Sequence, residues 1–298
     1  MGFVSQDSGI AASIFLGLYV IYILFAIRVV YQRGLKTTYT SLLVYGILRT
    51  AGQLCGVAFS ALGYEHYQWL IAYLVFSAEG YLVLILSGFH FIANAQVASF
   101  GRSWIRPEKE EKERNMAGAS NPFDYLRSRY TIDKIFHLSL IAATAFVISG
   151  GTMLAGDDPT ELTTSNITTS KGLRTAGQII FLVMTIFVIY LANYAYFVEG
   201  VRHCNIYTVL MVSPFILIRG IFGVLSIYIQ KMNYFDMSNY TSSGLSSQFV
   251  TYEYVLATTM EFTAACIYIS THYIETRSQQ KIAHIEEQND VETESSEK

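Results

Sequence analysis

The chain has 298 residues, 52% of them hydrophobic and only 14% charged, with mean hydropathy +0.35 and formal net charge -3. A soluble domain carries roughly 25% charged residues, and here the charges gather in short clusters between apolar runs of about 20 residues, the length that spans a bilayer as a helix. This excludes a soluble α/β enzyme, a disordered chain and, with only Cys55, Cys204 and Cys266, a disulfide-stapled secreted domain; it also leaves no basic field for nucleic acid.

Seven apolar spans are predicted in chain order, at about 9–27, 41–62, 69–93, 135–154, 176–198, 206–228 and 249–274. The first, IAASIFLGLYVIYILFAI, has no charge before Arg28 and no basic region ahead of it, which predicts a retained span rather than a cleaved signal. The start MGFVSQ lacks Ser or Thr at position 6, so myristoylation is not expected. Pro214 is the proline inside span six and predicts a kink there. Gly52 and Gly56 on span two, and Gly220 and Gly223 on span six, offer close helix approach. Glu253 and Glu261 make span seven the weakest by hydropathy.

Lys and Arg set the expected direction. With the amino terminus outside, fifteen of the 20 fall in cytoplasmic segments, and Lys171, Arg174 and Lys231 fall outside. Arg49 and Arg219 lie within spans. Two N-x-[S/T] sequons, at Asn166 and Asn239, share the outer side, which predicts a glycoprotein of the secretory pathway, placed in the plasma membrane with several passes. The expected architecture is an all-α seven-transmembrane helix bundle over 1–277, amino terminus outside and carboxyl terminus cytoplasmic. An acidic, disordered cytoplasmic tail over 278–298 follows. The loop at about 99–134 is too short for a core of its own and is a candidate contact for a cytoplasmic protein partner.

The residues that point to function are the ionisable ones inside spans. By helical rise, Arg49 lies ~13 Å from the cytoplasmic side, while Glu79 lies ~15 Å and Glu261 ~18 Å from the outside. Each would cost at least ~2.5–3.5 kcal/mol facing lipid at mid-depth. They are therefore expected to face the interior and pair, Arg49 with Glu79 and Arg219 with Glu261. Glu253 is left over to line a wet cavity, and Gln53 lies one turn from Arg49. Such pairs serve either to fix helix register or to build a functional cavity. His90, His137, His203 and His272 fall near the cytoplasmic boundary, but no H-x-x-x-H or H-E-x-x-H spacing occurs, so no metal and no cofactor are expected.

No Lys lies inside a span, which excludes a retinal Schiff base. Span three ends GFHFIANAQ and span seven reads YEYVLATTMEFTAACIYIS, without the triplet or N-P-x-x-Y of an ordinary rhodopsin-type receptor. RTAGQLCGVAFSALGYEHYQWLIAYLVFSAEGYLVLIL (49–86), SPFILIRGIFGVLS (213–226) and YEYVLATTMEF (252–262) resemble a group of seven-helix membrane proteins of filamentous fungi. The plan of seven spans, with Arg in span two, an acid in span three and Arg in span six, is also similar to the fungal RTA-like lipid-translocating exporters. Gly220 to Ile229 departs from that pattern in lacking an acidic residue. The resemblance implies a non-enzymatic fungal membrane protein that binds or translocates a lipid or other amphiphile; the alternative is a divergent seven-helix receptor or sensor acting through the 99–134 loop. Membrane lipids are the expected partners, with an amphiphilic ligand, and no nucleic acid.

Overall fold

The computed structural model describes residues 3–107, 132–153, 164–241 and 244–277. Most of the 99–134 loop and the tail beyond 277 lie outside the described residues. The chain is nearly all helical: α1 (Gln6–Arg33), α2 (Thr38–Leu62), α3 (Gln68–Phe100), α4 (Ile132–Thr152), α5 (Thr164–Phe197) and α6 (Cys204–Tyr228). A seventh helical rod follows in three pieces: α7 (Ser247–Glu253), a π-helical segment (Tyr254–Thr259) and α8, residues 260–277. Helices α1 to α6 are each long and apolar enough to cross a membrane. Their outward faces stay apolar, with Leu24 of α1 and Leu138 of α4 each 64% exposed and Met211 of α6 63% exposed. Helices in water would bury such side chains; helices in hydrocarbon present them to lipid.

Glycine punctuates the first three helices. The backbone N–H groups of Gly34, Gly63 and Gly101 bond to the carbonyls of Val30, Phe59 and Val97, all three with positive φ, which a side chain would strain. Pro214 lies within α6, which remains one helix from Cys204 to Tyr228.

Helix α3 is the hub, packing against α2, α4, α5 and α6. The last rod closes the bundle, its π segment against α6 and α7 against α1. At one end, Tyr268 of α8 stacks on Phe91 of α3, Thr271 bonds Thr208 of α6 at 2.8 Å, and Glu275 pairs with Arg33 of α1 at 3.1 Å. At the other end a short hairpin, β1 (Tyr240–Thr241) and β2 (Gly244–Leu245), caps the bundle. Leu245 N–H donates to Ser5 Oγ, and Leu245, Phe249, Phe59 and Ala12 form a small second core beneath it. The segment before the hairpin is held by its own polar groups. Ser238 donates from both backbone and hydroxyl to Asp236, holding that carboxyl below the usual carboxylate range.

One boundary differs most from the sequence reading. Helix α5 begins twelve residues earlier than expected, at Thr164. The polar run Thr164–Lys171 reads as loop by hydropathy, yet it supplies about two further helical turns. Arg174, assigned above to an outer loop, is thereby carried into the bundle and is only 8% exposed.

Candidate functional site

Arg49 sits midway along α2 and is wholly buried. Its side chain passes α3 at Gly80, where a Cβ would lie 2.6 Å from Arg49 Cδ, so any larger residue there blocks the path. Beyond that gap its Nε reaches within 3.1 Å of Glu261 Oε2 on α8. Nη2 donates to Thr258 Oγ1 at 3.4 Å, and Nε donates to the Tyr19 hydroxyl at 3.4 Å. Arg219 approaches the same carboxylate from α6, its Nε donating to Glu261 Oε1 at 2.5 Å while its guanidinium lies over the Tyr81 ring. One buried carboxylate therefore bridges two arginines from separate helices. The two contacts are unequal: Glu261 Oε2 accepts no aligned hydrogen bond and Arg49 Nη1 has no partner, so Arg219 holds the tighter link.

The expected Arg219–Glu261 pair is present. The expected Arg49–Glu79 pair is not: Arg49 turns to Glu261, and Glu79 is half-buried with no ion pair. Depth along a helix is legible from sequence, but direction around it is set by packing. Gly80, one residue on and about 100° around α3, is the position that meets Arg49, which aims Glu79 elsewhere. Gln53 is buried one turn beyond Arg49, where the Tyr254 hydroxyl donates to its Oε1 at 3.4 Å. Glu253 is 4% exposed and accepts from the Tyr73 hydroxyl at 3.1 Å, with no cation at ion-pair distance.

The π segment explains how Glu253 and Glu261 share one side. Eight residues of regular α-helix would set them about 80° apart. A π bulge absorbs one residue, so their spacing acts like seven, the two-turn repeat that returns to the same face. Thr259 completes the bulge by donating its hydroxyl to the Tyr254 carbonyl, five residues back, at 2.7 Å.

Beside this charge bridge lies a cavity of about 100 Å³. It is lined by α3, α4, α5 and α6, with Glu253 and the segment Asn233–Phe235 also contributing. Leu74, Val75, Phe222 and Ile227 give it apolar walls, and Arg219, Glu253, Arg174 and Gln178 give it polar groups. Arg174 and Gln178 lie one turn apart on α5. Arg174 packs its guanidinium over Phe235 at 4.1 Å and donates weakly to Asn233 Oδ1 at 3.5 Å. Arg174 Nε and Gln178 Oε1 are buried with no partner. Among the described residues, the buried arginine and carboxylate side chains are Arg49, Arg174 and Arg219 against Glu253 and Glu261, one more cation than anion. Of the residues expected from sequence, Arg219 and Glu253 line the cavity, whereas Arg49, Gln53, Glu79 and Glu261 do not. Arg174 was missed because it precedes the apolar run of its helix, and Gln178, just inside that run, because it carries no charge; an Arg and a Gln four residues apart at its margin were the available signal.

The sequons differ in setting. Asn166 is half-exposed in the first turn of α5. Asn239 is 5% exposed, and its Nδ2, the atom a glycan would occupy, donates to the carbonyls of Gln230 and Asn233 at 2.5 and 2.9 Å.

No protein-family model matches the chain, and neither the curated proteins nor the solved structures provide a match.

Proposed function

We propose that this chain is a seven-helix membrane protein, amino terminus outside, that binds an amphiphile with an anionic head group in the cavity between α3, α5 and α6, as a step in holding or translocating it. The observation that carries this reading is the unpartnered buried donor Arg174 Nε, which lines an apolar-walled space together with Arg219. An unsatisfied buried polar atom costs about 1–3 kcal/mol, more when charged, and a carboxylate or phosphate oxygen accepting from Arg174 removes that cost. The surplus positive charge favours an anion over a cation. The Lys and Arg asymmetry supports the direction, and it sharpens once Arg174 is counted within the bundle. The resemblance to fungal seven-helix proteins, the plasma-membrane location and a non-catalytic role belong to the same proposal. Asn166, half-exposed at a helix end, is the better carrier of a glycan, because a glycan on Asn239 would displace one of its two hydrogen bonds.

The test uses the full chain in lipid nanodiscs and two fluorescent amphiphiles of equal chain length, one carboxylate and one amine. The carboxylate should bind more tightly, and Arg174→Gln should weaken it about tenfold or more, the scale of one charged hydrogen bond. Preference for the amine, or unchanged carboxylate binding in a folded Arg174→Gln variant, would refute the reading.

A further inference from the structure

At the opposite end of the bundle, two of the four boundary histidines meet an aspartate. His90 lies near the end of α3, and Asp133 and His137 lie one turn apart at the start of α4. One ligand atom from each residue falls within 4.8 Å of the others. His90 Nε2 and Asp133 Oδ1 are both buried and without hydrogen-bond partners, and Asp133 Oδ1 lies 3.5 Å from His137 Nδ1. His137 Nδ1 is also 2.7 Å from the Asp133 backbone carbonyl. Donation of its N–H to that carbonyl fixes the tautomer and leaves the lone pair on Nε2, the device by which metal-bound histidines are commonly oriented. An orphaned imidazole nitrogen and an orphaned carboxylate oxygen within one such cluster are what a cation would join.

We propose that His90, Asp133 and His137 form a binding site for a zinc-class divalent cation, separate from the amphiphile cavity. Two nitrogens and one carboxylate oxygen are the donor set of three-ligand zinc sites, which leave a fourth position open. Tetrahedral ligands about 2.0–2.2 Å from a common zinc stand about 3.3–3.6 Å apart, so the three side chains close on the ion with a movement of about an ångström. Access comes from an open cleft of about 1040 Å³ that His90 lines. Arg33, Lys36, Arg106 and Arg202 line the same cleft. Their charge opposes a bare cation and favours one whose fourth ligand is an anion, hydroxide or a substrate oxygen, drawn from that basic cleft. The spacing search on sequence missed the site because its ligands come from two helices, with an Asp-x-x-x-His pair on one of them.

A second cluster, His203, Cys204 and Glu275, has comparable proximity but is already bonded. His203 Nδ1 caps α6 by accepting from Asn205 N–H, and Glu275 holds Arg33 while accepting from Cys204 Sγ. It serves as the internal control.

The full chain, purified in detergent and stripped with chelator, is titrated with Co²⁺ and then Zn²⁺. The expected result is one Co²⁺ per chain with visible ligand-field absorption, displaced by Zn²⁺. His90→Gln and His137→Gln should each abolish it, and Cys204→Ser should leave it intact. As a measurement free of mutational misfolding, Zn²⁺ should suppress carbethoxylation of His137 in the unmodified protein. No bound metal, metal kept by His90→Gln but lost from Cys204→Ser, or unaltered His137 labelling would each overturn the proposal.

Discussion

Glu261 is the residue on which the interior depends, because among the described residues it is the carboxylate that pairs with both Arg49 and Arg219. Removing one partner of a buried pair costs about 3–5 kcal/mol, since the other charge is left uncompensated. Glu261→Gln strands two guanidiniums at once, whereas Arg219→Ala leaves Glu261 beside Arg49. The ranking expected for an isolated Arg219–Glu261 pair therefore changes: deleting both members no longer relieves the damage, because Arg49 is then alone. Glu79 sits half-buried and unpaired on α3 and should tolerate neutralisation. In a detergent thermal-unfolding assay, Glu261→Gln should lower the midpoint sharply and Glu79→Gln by little. Equal losses would show that Glu79 shares the interior charge network.

At the scale of elements, the π segment holds the site in register. Without the bulge, eight residues of regular α-helix would set Glu253 and Glu261 about 80° apart, and one would turn from the arginines. Deleting Val255, which is 48% exposed, should convert the π turn to α-helix while preserving the phase of both carboxylates. Deleting Ile267 from the regular part of α8 should instead rotate the following turns by about 100°, breaking the contacts of Tyr268, Thr271 and Glu275. Folded yield after size-exclusion chromatography should stay near that of the parent for the first deletion and collapse for the second. Similar collapse for both would mean that the π geometry is required for some reason other than register.

For the whole molecule, the sequence made the class and the axial layout legible because both follow from length and hydropathy. An apolar run of about 20 residues can hardly be anything but a membrane helix, and charges inside such runs must find partners. Which partner each finds was legible only in part. Arg219 and Glu261 sit on consecutive spans at overlapping depth, and they pair. Arg49 and Glu79 sit on consecutive spans too, but the close approach of Arg49 to Gly80 depends on helix rotation, which hydropathy does not encode. Arg174 and the π bulge were invisible for related reasons: one extends a helix beyond its apolar run, and the other changes helical phase without changing composition. The cavity exists only where these features converge.

Photo-crosslinking decides whether an anionic amphiphile is held inside the bundle or on its lipid-facing surface. The full chain in nanodiscs is irradiated with a diazirine-bearing fatty acid, and the labelled residues are mapped by mass spectrometry. Label is predicted on the cavity walls of α5 and α6, near Gln178 and Phe222, and should disappear with excess unlabelled fatty acid. Label confined to outward residues such as Leu24 and Leu138, and insensitive to competitor, would contradict the account.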